Sequence, residues 1–100
     1  MSIRIPNSIQ IKGHTIDIQF DETLAHDTDA LGISDYRNHT IKLQPDCVGY
    51  PVKNSMLEQA YLHEVLHFIF SAIGRQDLTE DEILVHNMAG CLQQVLTQRR

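Results

Sequence analysis

The chain has 100 residues, 42% of them apolar and 6% aromatic, with 8 Lys and Arg against 13 Asp and Glu for a formal charge of -5. That length suits a single domain, residues 1–100, with one modest core. The acidic balance argues against a nucleic-acid binder, which needs a basic footprint to displace counterions, and no stretch approaches the length of a membrane span.

The opening "MSIRIPNSIQ" lacks the long apolar core of a signal peptide, so a cytoplasmic setting is expected. Residues 1–50 are β-rich in pattern: short segments of Ile, Thr and Phe are broken by Gly, Pro, Asn and Asp. "SIQIKGHTIDIQF" alternates on both sides of Lys12-Gly13-His14, which predicts two strands and a tight turn. "DETLAHDTDAL" is polar and reads as a loop or one helical turn; His26 lies there near Asp27 and Asp29, a solvated loop rather than a second metal site. "GISDYRNHTIKLQ" repeats the hairpin pattern, with Arg37-Asn38-His39 as the turn and Thr40 to Gln44 as the better strand. His14 and His39 thus fall in turns.

From Pro51 the pattern becomes helical. "VKNSMLEQAYLHEVLHFIFSAIG" has an Asn/Ser start signal, a long apolar stripe, and Gly74 where a helix should stop. A second helix restarts after Leu78, with Thr79 as N-cap and Glu82 completing a capping box. The acidic "EDE" of its first turn suits the helix dipole. The expected fold is α+β, a small antiparallel sheet (1–50) packed on two helices (51–100). Cys47 and Cys91 are too few for a disulfide framework. Cys91, within "NMAGCLQQVL", reads as a small buried hydrophobe.

The chemistry concentrates in "YLHEVLHFIF", residues 61–70. His63 and His67 are four apart and share one helix face, so both imidazoles can reach a Zn²⁺ at about 2.0–2.1 Å. Glu64 sits beside them, where it can take a proton from a zinc-activated water. This is the H-E-x-x-H arrangement of zinc metallopeptidases, which chance alone would give in about one such chain in fifty. A third ligand should come from another element. Glu82 is favoured, because it borders the apolar face of the last helix through Val85 and Ala89. His86, one turn on, is the runner-up ligand or a partner to the reacting carbonyl. Tyr61, Tyr36, Tyr50 and His86 are the candidate donors to an oxyanion, and the sequence does not choose among them.

With "LHEVLHFIF" followed by "LTEDEILVHNMAGCLQQVL", the chain resembles the small zincin-like metallopeptidases of phages and bacteria, trimmed relatives of the SprT-like and ImmA/IrrE-like families. The resemblance implies a minimal zincin-like catalytic scaffold and zinc ligation by the glutamate near the start of the last helix, which supports Glu82. It also implies that the strand near Thr40 to Leu43 borders the cleft, where an extended peptide adds as a further strand. The family's extension beyond "LQQVLTQ" is nearly absent here, so specificity pockets are expected to be small. The expected activity is zinc-dependent hydrolysis of a peptide or protein substrate. The competing expectation is a zinc-stabilised regulatory or protein-interaction module with little or no proteolysis.

Overall fold

The alternating Ile residues of the first segment predict a half-buried hairpin. The computed structural model, which describes residues 5–24, 31–47, 50–51 and 53–98, forms it from β1 (Ser8–Ile11) and β2 (His14–Phe20). Lys12 and Gly13 turn the chain with φ of +50° and +83°, the left-handed pair of a type I′ turn whose twist matches the strands it joins. Ile16 and Ile18 are buried, while Thr15, Asp17 and Gln19 face solvent.

The second hairpin pairs β3 (Gly32–Asp35) with β4 (Thr40–Leu43). In its turn Asp35 accepts from the Asn38 backbone N–H at 3.2 Å and from the Asn38 side-chain amide at 2.9 Å. These bonds hold the Asp35 carboxyl below the usual carboxylate range. The strand order is β1-β2-β4-β3, and here the expected antiparallel sheet must be corrected. The sheet is mixed: β2 and β4 pair in parallel, with Ile18 beside Ile41. Burial explains the arrangement. Ile41 and Leu43 are 0% exposed, so the most deeply buried strand takes a central place, and residues 21–39 are long enough for a parallel crossover. The cleft-bordering strand is corrected with it. β4 is internal, whereas β3 is an edge with no strand on its far side among the described residues. A separate ribbon is formed by β5 (Asp46–Cys47) and β6 (Tyr50–Pro51). His26, Asp27 and Asp29 lie outside the described residues.

Helix α1 (Asn54–Ala72) carries the His-Glu run. It starts without a side-chain cap: Lys53 is the cap residue, its carbonyl accepting the N–H groups of Met56 and Leu57 at 3.0 Å, and Asn54 is already helical. No residue from Leu57 to Phe70 is fully exposed, because the helix packs against both the sheet and the last helix. Tyr61, Leu62, Leu66, Phe68 and Phe70 belong to the core, with β3 and β4 against the helix on one side and the last helix on the other. Gly74 ends it at a φ of +75°. There the Arg75 N–H reaches the Phe70 carbonyl at 2.9 Å and the Gly74 N–H reaches Ser71 at 3.1 Å, the paired bonds of a Schellman motif.

A short helix, α2 (Gln76–Thr79), follows, with Arg75 and Asp77 paired at its start through bonds of 2.9 and 2.7 Å. Then comes α3 (Glu82–Thr97). The expected Thr79–Glu82 capping box does not form. Asp81 is the cap, its Oδ1 accepting from the Leu84 N–H at 3.1 Å, because Thr79 is spent as the last residue of α2 and is buried. Val85 and Ala89, both 0% exposed, seat α3 on the core. Gln93 donates to the Ser55 carbonyl at 2.7 Å, so α3 runs back along α1. Cys91, expected to be buried, is exposed; two residues past Ala89 the helix has turned by about 200°. No helix of the described residues is long and apolar enough to cross a membrane. The whole is a mixed α+β fold, a small open sheet packed against helices.

Candidate metal centre

His63 and His67 project from one side of α1, with ring centroids 4.9 Å apart and Nε2 atoms 3.2 Å apart. Glu82, the first residue of α3, reaches across to both. Its Oε2 is 3.3 Å from His63 Nε2 and its Oε1 is 3.1 Å from His67 Nε2. Four ligand atoms around a zinc ion at about 2.0–2.1 Å lie about 3.3 Å from one another in a tetrahedron. The spacing of these three side chains fits such an ion, and the donor chemistry, two imidazole nitrogens and a carboxylate, is a zinc set. The imidazoles are 20% and 12% exposed and the Glu82 side chain 67%, so the site opens on the Glu82 side. Among the described residues the candidate metal-holding group has three members.

The far nitrogen of His67 is also engaged. Its Nδ1 lies 2.7 Å from the Thr79 hydroxyl, so the ring has a partner at each nitrogen. Sequence reasoning missed this role by assigning Thr79 to a helix cap.

Glu64 reaches β3. It is buried, and its Oε1 accepts a 2.7 Å hydrogen bond from Ser34 Oγ. Burial pushes the Glu64 carboxyl up from its usual range, and the Ser34 bond opposes that rise. The approach of β3 to this carboxylate depends on a missing side chain. A Cβ on Gly32 would stand 3.1 Å from Glu64 Cγ and 3.3 Å from Leu43 Cδ2. Both neighbours are buried, so neither yields freely. Gly32→Ala is therefore expected to lose about 1–3 kcal/mol of stability by overpacking, seen as a lower urea midpoint at unchanged slope. An unshifted midpoint would show that the strand slides to make room.

Glu64 and His63 also line an open cleft of about 320 Å³ together with Gly32, Met56, Ala60 and His86. His86 does not join the three-member group; its ring centroid is 6.3 Å from that of His63, and it stands on the cleft wall. The tyrosines are placed differently. Tyr61 is buried, which pushes its phenol up. Tyr36 packs on Phe68 at 4.9 Å and does not line this cleft. The Tyr50 side chain is outside the described part. Of the four proposed donors, His86 is the one that lines the same cleft as Glu64. Comparison of the chain with protein-family models, curated proteins and solved structures returned no match.

Proposed function

We propose that the chain is a cytoplasmic zinc-dependent metallopeptidase built as a single zincin-like domain over residues 1–100, with His63, His67 and Glu82 as the metal ligands and Glu64 as the general base. One observation carries the reading: three zinc-type side chains bring one ligand atom each within 4.8 Å of one another while a buried carboxylate from the residue next to His63 opens on the adjoining cleft. A bound zinc ion supplies Lewis acidity, lowering the pKa of water towards about 7 and polarising a carbonyl. Glu64 takes the proton of the attacking water and returns it to the leaving amine. Its raised pKa suits both directions of that transfer. Ser34 holds the carboxylate by one oxygen, leaving the other for the proton. His86, on the cleft wall, donates to the oxygen that gains charge. The substrate is an extended peptide that adds to the open edge of β3, the strand that carries Ser34 and Gly32 against Glu64.

The resemblance to zincin-like metallopeptidases in the "LHEVLHFIF" run supports the same assignment. A purely structural zinc site has less to recommend it. Such sites are usually closed by thiolates and have no need of a base beside them, whereas here the neighbouring carboxylate lines a cleft.

The test is zinc stoichiometry of the purified protein with cleavage of a peptide library, repeated after chelation and after zinc is restored. One zinc per chain and cleavage that is lost and regained with it are the expected results. Zinc without cleavage of any peptide would move the assignment to the interaction module, and no zinc would end both.

A further inference from the structure

We propose that Thr79 is the positioning residue of this centre: its hydroxyl readies His67 for a divalent cation by partnering Nδ1 whichever ring nitrogen carries the proton. This rests on the metal assignment made above.

The His67 ring is gripped at both ends by residues three apart in the chain. Thr79 Oγ1 meets Nδ1 at 2.7 Å, and Glu82 Oε1 meets Nε2 at 3.1 Å. Thr79 is 8% exposed, so solvent is a poor substitute for its hydroxyl. Its backbone is fixed independently, the Thr79 N–H bonding the Arg75 carbonyl at 3.2 Å at the end of α2. The side chain is thus free to serve the ring.

A neutral imidazole has one N–H and one lone pair. With the proton on Nε2, that nitrogen donates to Glu82, and the Thr79 hydroxyl donates to Nδ1. With a cation at Nε2, that nitrogen must present its lone pair. A neutral ring then carries its proton on Nδ1. The same hydroxyl now accepts from Nδ1–H. A carboxylate or a carbonyl can only accept, so it would favour one of these states and penalise the other. A hydroxyl rotates about its C–O bond and serves both without moving a heavy atom. The site is in this way preorganised for the ion, which lowers the ordering cost of binding.

The experiment measures zinc affinity by chelator competition for the wild type, Thr79→Val and Thr79→Ser, with metal-free thermal stability of each. Thr79→Val keeps the shape and removes the hydroxyl, and is expected to weaken zinc by about 10- to 100-fold. Thr79→Ser is expected to bind close to the wild type. Equal zinc affinity in Thr79→Val, with or without a loss of stability, would reduce Thr79 to packing and overturn the inference while leaving the metal assignment standing. A wild type that binds no zinc would fell the assignment and the inference together. Should Thr79→Val fail to fold, ¹⁵N spectra of the wild-type imidazoles decide. Nδ1 of His67 should show a hydrogen bond both before and after zinc; an Nδ1 without one in either state would overturn the two-way role.

Discussion

Glu64→Gln is expected to keep one zinc per chain and to cut turnover by about 10²- to 10⁴-fold. Gln preserves the shape and still accepts from Ser34 Oγ through its amide oxygen, so the 2.7 Å bond that aims the side chain survives. What it loses is the ability to take a proton at neutral pH. The substitution also removes a buried group whose charge is disfavoured by burial. A folded state with a raised carboxyl pKa binds its proton more tightly than the unfolded chain does. Stability therefore declines as pH rises from the unfolded value through the folded one, and Glu64→Gln should flatten that decline in the metal-free protein. The kinetic and stability effects are thus opposite in sign at neutral pH: the variant is slower and no less stable. Metal content, single-turnover rate and the urea midpoint at two pH values separate the two. Undiminished turnover in Glu64→Gln would remove the carboxylate from the mechanism.

Glu82→Ala is expected to lower zinc affinity by more than the roughly 10- to 100-fold that outer-shell changes cost, and His86→Ala to leave it near the wild-type value. Glu82 offers an oxygen to each imidazole at 3.1 and 3.3 Å, whereas the His86 ring centroid lies 6.3 Å from that of His63. Added zinc should therefore raise the melting temperature of the wild type and of His86→Ala, since a ligand that binds only the folded state stabilises it, and should do little for Glu82→Ala. His86→Ala should instead slow turnover, in keeping with its place on the cleft wall. The reverse pattern, with zinc lost on removal of His86 and kept without Glu82, would exchange the two roles.

The local elements were legible in the sequence because their periods are local. Both hairpins, with Lys12-Gly13 in the first turn, follow from alternation and turn chemistry. The long helix follows from its apolar stripe and from Gly74. The neighbourhood of Glu82 and the histidine pair was expected from an acidic helix start at a workable distance, and the structure sets these three side chains together. What escaped notice is non-local. Strand order depends on which strand the core buries deepest, and the alternation of Ile41 and Leu43 does not reveal that β4 displaces β3 from the centre. Thr79 was misread because a four-residue helix is too short to leave a periodic signal. Ser34 carries no mark of a partner 30 residues away. Gly32 did carry one, since a glycine inside a strand pattern signals a close backbone approach.

The contacts that aim Glu64 and the residues that meet at the metal centre lie at very different ranges along the chain. His63, His67, Thr79 and Glu82 fall on three consecutive helices, whereas the carboxylate is aimed by an edge strand from the other half of the molecule. Among the described residues β3 is paired on one side only, and proteins open locally at less than the free energy of global unfolding. Detachment of β3 would leave the ion in place with its base unaimed, a state that still counts as fully loaded in a metal assay yet cannot turn over. A peptide laid along that same edge would hold β3 down. Under the proposed activity, substrate would complete the catalyst that is to cut it.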